Sequence, residues 1–130
     1  MAPAASTPLS RTVLVVDDDP GIRETVTEVL SSEGYRVIEA GDGQEALRHL
    51  DGFEDRCVVL LDLVMPRMNG LEVLSELSRR GWTDRTSVLV MSANVQPGEL
   101  EFPHVVAVLR KPFELDDLLR WVEVCSRPPG

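Results

Sequence analysis

Lysine is nearly missing from this chain: twelve of its thirteen basic residues are arginine, and Lys111 stands alone. Where arginine is written almost everywhere, a single lysine invites a reason of its own. Also missing is any long apolar run. The longest are four or five residues, Val13 to Val16 and Val105 to Leu109, against the roughly 20 needed to cross a bilayer, so no membrane span is expected. Met1 to Ser10 has no basic residue and no apolar core, which fails the pattern of a signal peptide and reads as a loose tail. Only two cysteines occur, Cys57 and Cys125, far apart and inside apolar stretches. That spacing excludes a close metal or redox pair, and buried reduced thiols in a cytoplasmic chain are expected. A basic patch is lacking too: the net charge of −9 argues against direct nucleic-acid binding, because phosphate contacts need clustered cations.

What is present suits one soluble domain. Of the 130 residues, 43% are hydrophobic and 27% charged, the balance of a globular protein with a single core. Five short runs rich in β-branched residues recur: Thr12 to Val16, Arg36 to Ala40, Val58 to Asp62, Ser87 to Met91 and Val105 to Leu109. Four are continuously apolar, as strands covered on both faces should be, whereas Arg-Val-Ile-Glu-Ala is mixed and suits an edge. Between them, Ile22, Val26, Val29 and Leu30 repeat at helical spacing before Gly34. Gln44 to Leu50, Leu71 to Leu77 and Leu115 to Val122 carry similar patterns. Strands alternating with helices predict an α/β fold, a doubly wound parallel sheet with helices on both faces. Ligands of such sheets collect at the carboxyl ends of the strands.

Those ends carry Asp17, Asp18 and Asp19 after strand one, Asp62 at the end of strand three, Ser92 after strand four and Lys111 after strand five. Carboxylates gathered on a rigid sheet repel one another unless a cation sits among them, and magnesium suits hard oxygen donors. A carboxylate there could attack a phosphoryl group while a hydroxyl and an ammonium stabilise the spreading charge. No nucleophile elbow and no Walker-type lysine loop appears. Gly41-Asp42-Gly43 is followed by no Lys-Ser/Thr pair and reads as a turn and helix start. Asp19 reads as the cap of the first helix, with Pro20 at its first position. His49 and His104 lack ligand partners at suitable spacing and read as ordinary surface or loop residues.

From about Arg11 to Cys125 the chain resembles a response-regulator receiver domain. The resemblance rests on Val-Leu-Val-Val-Asp-Asp-Asp-Pro at 13–20, on Gly41-Asp42-Gly43-Gln44-Glu45-Ala46-Leu47, and on Asp62-Leu63-Val64-Met65-Pro66-Arg67-Met68-Asn69-Gly70. Met91-Ser92-Ala93 and Lys111-Pro112-Phe113 complete it. It implies a flavodoxin-like strand order 2-1-3-4-5, a phosphoacceptor at Asp62, and Mg2+ held by Asp17, Asp18, Asp62 and the main-chain carbonyl of Val64. Ser92 and Lys111 would bind the phosphoryl group. The donors implied are a histidine kinase or phosphotransfer protein, or acetyl phosphate, and the domain would switch partner interactions rather than turn over a substrate. On this reading residues 11–126 form the domain, with tails at 1–10 and 127–130.

Two alternatives compete. Asp17-Asp18-Asp19 also resembles the Asp-x-Asp nucleophile of a haloacid-dehalogenase-type phosphatase, which would leave the 62–70 motif unexplained. A phosphorylation-independent interaction module is the other, favoured by a departure from the family pattern. Pro97, Gly98 and Pro103 crowd the place of the fourth helix, so that helix is expected to be short or replaced by a loop. Val108 stands where the family commonly has an aromatic. The fifth strand is then expected to be less covered, leaving a surface for a partner or for a second copy on phosphorylation.

Overall fold

The computed structural model describes residues 12–53, 55–95 and 102–127. Five strands are described: β1 (Thr12–Val16), β2 (Arg36–Ala40), β3 (Cys57–Asp62), β4 (Thr86–Ser92) and β5 (Val105–Arg110). Four helices accompany them: α1 (Pro20–Ser32), α2 (Gly43–Asp51), α3 (Gly70–Arg79) and α4 (Leu115–Ser126), with a single 3₁₀ turn at Thr83–Arg85. The strands form one parallel sheet in the order β2-β1-β3-β4-β5. The predicted α/β class and strand order are both present. The order reverses between β1 and β3, because the chain winds outward to β2 and then returns to build the other half.

Residues alternate between the two faces of each strand, and two apolar layers result. Leu14, Val16, Val59, Leu61, Val88 and Val90 meet Ala46, Leu47 and Leu50 of α2 and Val73, Leu74 and Leu77 of α3. On the opposite face Val13, Val15, Val58, Leu60, Leu89 and Met91 meet Val26 and Leu30 of α1 and Leu118 and Val122 of α4. β1 and β3 therefore read as unbroken apolar runs because both of their faces are roofed. Truncating a residue such as Leu60, which has no exposed surface, would cost about 2–5 kcal/mol.

Local signals set the helix starts. Asp19 accepts from the main-chain N–H groups of Gly21 and Ile22 at 2.8 and 3.3 Å, with Pro20 in the first turn, as its sequence position implied. Asn69 and Glu72 form a reciprocal capping box, both bonds at 2.9 Å, which pins the start of α3 directly after the Asp62 loop. α1 ends where Gly34 takes a positive φ of 93°, a conformation glycine adopts without steric cost.

β5 departs from the reading of continuous apolarity as cover on both faces. Val106 is 44% and Val108 36% exposed, in keeping with the expectation of a less covered fifth strand; its register also shifts opposite Val88/Leu89. Residues 93–95 and 102–104 carry no helix. The turn expected at Glu99 to Phe102 falls mostly outside the described residues, as do the tail at 1–10 and all of the tail at 127–130 but Arg127. Cys57 and Cys125 are buried and unpaired, and burial pushes their thiols up to about 12 and about 11. No helix among the described residues is long and apolar enough to cross a membrane.

His104, read as an ordinary surface or loop residue, lies in the turn before β5 but is not at the surface. It is only 6% exposed, its ring meets Phe102 edge-on at 5.9 Å, and neither ring nitrogen has a hydrogen-bond partner. The apolar turn into β5 encloses it, and that burial holds its pKa below the ordinary value. His49 is exposed, as expected, beside Glu45 at 3.9 Å.

Candidate functional site

Strand ends on either side of the reversal point bring the carboxylates together. Asp17 directly follows β1 and has no exposed surface. Its N–H donates to Ala40 O at 3.1 Å, continuing the sheet by one bond. Its Oδ1 accepts from Asp19 N at 2.9 Å, and its Oδ2 accepts from Lys111 Nζ at 3.1 Å. Asp62 ends β3; its Oδ1 accepts from Val64 N at 3.1 Å, and its Oδ2 lies 3.4 Å from Lys111 Nζ. Asp18 is exposed, yet it offers a carboxylate oxygen to the same cluster: one oxygen from each of Asp17, Asp18 and Asp62 lies within 4.8 Å of the others.

Lys111, directly after β5, reaches both buried carboxylates. Its own N–H donates to Ser92 O at 2.9 Å, so the β4–β5 ladder carries the lysine to the centre of the sheet end, with a cis peptide bond to Pro112. This is the reason the sequence withheld for its one lysine. A compact ammonium with rotatable donors can serve two carboxylates in a cramped space, where a planar guanidinium would have to match one fork.

Electrostatics follow from that crowding. Burial pushes the Asp62 carboxyl above its usual range, and the Asp17 charge adds to the rise, opposed by the Val64 N–H and Lys111. For Lys111, burial alone would lower the pKa; its hydrogen bond to Asp17 and the charges of Asp17 and Asp62 outweigh that and hold it up. Three clustered carboxylates, two of them against the one ammonium, leave a negative excess. Hard oxygen donors with that charge fit a hard divalent cation.

The remaining predicted residues sit at the rim. Ser92 ends β4, one step beyond Met91, the register partner of Asp62. Its hydroxyl is turned to its own loop, donating to Asn94 O at 3.2 Å and accepting from Asn94 N at 3.3 Å. Val64 is 76% exposed although apolar, and its N–H is the donor to Asp62 Oδ1.

Several supports escaped sequence reasoning. A Cβ on Gly70 would lie 2.7 Å from Asp62 O and from Leu63 Cα, so α3 starts where only glycine fits against the end of β3. Gly43 faces Met68 and Val73 just as tightly, at 2.9 and 2.7 Å. Arg67 takes a positive φ of 68° and bonds Asp42 Oδ2 at 3.2 Å, tying the loop to the turn before α2. Arg23 donates from Nη1 to Asp17 O at 2.7 Å. Nothing in composition distinguishes Arg23 from the other arginines; its place four residues after Asp19, within one helical turn, was the available signal.

Comparison with known proteins bears on the family and the fold. The family model described as response regulator receiver domain matches residues 13–123. The response regulator MprA of Mycolicibacterium vanbaalenii is 40% identical over 114 residues, covering 82% of this chain and 46% of that protein. The structure of chemotaxis protein CheY4 from Vibrio cholerae has a TM-score of 0.79 at 30% identity, over 88% of this chain and 97% of that one. TrrA from Thermotoga maritima, a response regulator solved in complex with Mg2+ and BeF, has a TM-score of 0.74 at 33% identity, with coverage of 88% and 97%. The chain spans about half the length of the sequence relatives it matches. With the matched segment running through both halves of the sheet, the chain belongs to the response regulator receiver domain family.

Proposed function

We propose that Asp62 is the phosphoacceptor of this receiver domain. In this reading Lys111 and Ser92 stabilise the transferred charge, and Asp17, Asp18, Asp62 and the Val64 carbonyl hold a magnesium ion. The observation that carries it is the gathering of three carboxylate oxygens within 4.8 Å around one lysine, where the sheet order reverses. Asp62 is favoured over Asp17 as nucleophile by access. Asp17 has no exposed surface, whereas Asp62 keeps 6%, which speaks against the phosphatase alternative.

In the transfer, an Asp62 oxygen attacks phosphorus as the donor's P–N or P–O bond breaks, and the electron pair leaves with imidazole or acetate. Bound magnesium would neutralise charge on the phosphoryl oxygens. Lys111, already between Asp17 and Asp62, turns its ammonium to a phosphoryl oxygen. Ser92 exchanges its Asn94 contacts for another such oxygen, drawing the loop after β4 toward the site. The domain is then a signalling phosphoacceptor that catalyses its own transfer and slow dephosphorylation, and it switches partner interactions.

A histidine kinase or phosphotransfer protein is the proposed donor. A groove of about 630 Å3, lined by Ile22, Val26, Phe113 and Leu115 beside Lys111, offers it an apolar seat next to the acceptor. The net charge of −9 supports protein partners over direct nucleic-acid contact, and the buried unpaired thiols support a cytoplasmic setting. Incubation with acetyl phosphate and Mg2+ tests the reading. Intact mass is expected to rise by one phosphoryl group, and to stay unchanged in Asp62→Asn or in excess chelator. An unlabelled wild type, or a labelled Asp62→Asn variant, overturns it.

A further inference from the structure

Both peptide groups flanking Asp17 are held by the end of β2, one directly and one through a side chain. The Asp17 N–H donates to Ala40 O at 3.1 Å. The Asp17 carbonyl accepts from Arg23 Nη1 at 2.7 Å, while Arg23 Nε donates to Glu39 Oε1 at 3.1 Å. Arg23 is also tied to the same turn through its main chain, its N–H donating to Asp19 O at 3.0 Å. A guanidinium suits this place because its planar fork serves two acceptors at a fixed angle, which an ammonium does not reproduce.

We infer that Arg23, anchored by Glu39, is a positioning residue for the cation site, acting through the Asp17 carbonyl. The inference rests on reading the site as the phosphoacceptor centre. The peptide bond is planar, so fixing the Asp17 carbonyl fixes the plane that continues into the N–H and Cα of Asp18. Asp18 is exposed; the peptide group after it is held by Asp17 Oδ1 through Asp19 N at 2.9 Å, and the one before it by Arg23. The Asp18 carboxylate has to meet those of Asp17 and Asp62 within 4.8 Å. The Arg23 bond supplies the half of that orientation that the Asp19 N–H does not, and Arg23 itself need not touch a cation or a phosphoryl group.

Charge alone makes the opposite prediction, which separates the two effects. Arg23 and Glu39 are paired at 3.1 Å and nearly cancel at a distance. Arg23→Gln leaves Glu39 uncompensated, and the added negative charge would tighten binding of a dication. If Arg23 positions the turn, the same substitution weakens binding instead.

The experiment uses the full chain, with Mn2+ affinity read by electron paramagnetic resonance for wild type, Arg23→Gln, Arg23→Lys and Glu39→Gln. Arg23→Gln is expected to bind Mn2+ about tenfold more weakly, the scale typical of groups that orient metal ligands. Arg23→Lys should recover part of the loss, and Glu39→Gln should show a smaller loss. In acetyl phosphate labelling, the Mg2+ concentration giving half the maximal rate should rise in parallel, with the rate at saturating Mg2+ unchanged. An affinity in Arg23→Gln equal to or tighter than wild type overturns the proposal. If that variant does not fold by circular dichroism, unchanged affinities in Arg23→Lys and Glu39→Gln overturn it. A wild type that neither binds Mn2+ nor accepts label refutes the phosphoacceptor reading, and this inference with it. A competent wild type with indifferent variants refutes the role of Arg23 alone.

Discussion

Asp62→Asn should make the metal-free domain more stable while removing its proposed function. The carboxylate is buried and within 4.8 Å of an oxygen of Asp17, a repulsion of at least about 3 kcal/mol at an effective dielectric near 20. Lys111 Nζ, 3.4 Å away, returns about 5 kcal/mol on the same scale, but it is shared with Asp17 at 3.1 Å. Asp18 adds a smaller, water-screened repulsion. With attraction and repulsion nearly balanced, the burial cost decides, in agreement with burial as the leading cause of the raised Asp62 pKa. Asparagine keeps the shape and can still accept from the Val64 N–H. A gain of about 1–3 kcal/mol is expected, or roughly 4 °C in Tm per kcal/mol for a domain of this size. Magnesium should shrink or invert the gap. At 100 times its Kd it stabilises the wild type by about 2.7 kcal/mol, whereas the variant has lost a ligand and gains less. The pH dependence has a definite sign. The folded pKa of Asp62 lies above its unfolded value, so the wild-type penalty is full above the folded pKa and fades as pH falls through it. Melting curves of both proteins in chelator and in Mg2+, at neutral and acid pH, are the assay. A variant no more stable than wild type in chelator, an advantage that grows in acid, or an equal response of both to Mg2+ would refute the reasoning.

Other substitutions probe the remaining supports. Lys111→Met strands Asp17, which has no exposed surface, and should cost about 3 kcal/mol without metal in a urea titration. It should also tighten Mg2+ binding by calorimetry, since the cluster keeps its charge, and slow labelling about a hundredfold. Gly70→Ala places a methyl group 2.7 Å from Asp62 O and Leu63 Cα; both are main-chain atoms, so about 1–3 kcal/mol should be lost in the same titration. Ser92→Ala gives up the bond from Asn94 N at 3.3 Å for about 1 kcal/mol or less. Its labelling time course should nevertheless slow roughly tenfold, because the hydroxyl acts on the phosphoryl group rather than on the fold.

Much of this arrangement was legible in the chain because strand-end residues in a parallel sheet have a fixed destination. Once β1 and β3 are recognised as apolar runs, Asp17 and Asp62 are committed to the same end of the sheet, and Lys111 follows from β5. The cap at Asp19 and the edge position of β2 were legible for similarly local reasons. Contacts set by tertiary packing were not. The close approach of Gly70 to Asp62 O depends on where α3 is delivered by its capping box. The reach of Arg23 to Asp17 O depends on the crossing of α1 over β1. His104 does lie in a turn, as a histidine beside proline reads, but its burial against Phe102 is set by packing and was not legible. Exposure of Val106 and Val108 in β5 was legible only from the proline-crowded segment before the strand, since its continuous apolarity alone reads as cover on both faces.

The central claim concerns one carboxylate, and one mapping experiment addresses it. After phosphorylation by acetyl phosphate in Mg2+, borohydride reduction converts the acyl phosphate to a stable alcohol at the modified residue, and proteolysis with tandem mass spectrometry locates it. The account predicts homoserine at position 62 and unmodified aspartate at 17 and 18. Homoserine at 17, or no reduced residue in a chain shown to be folded, would contradict it.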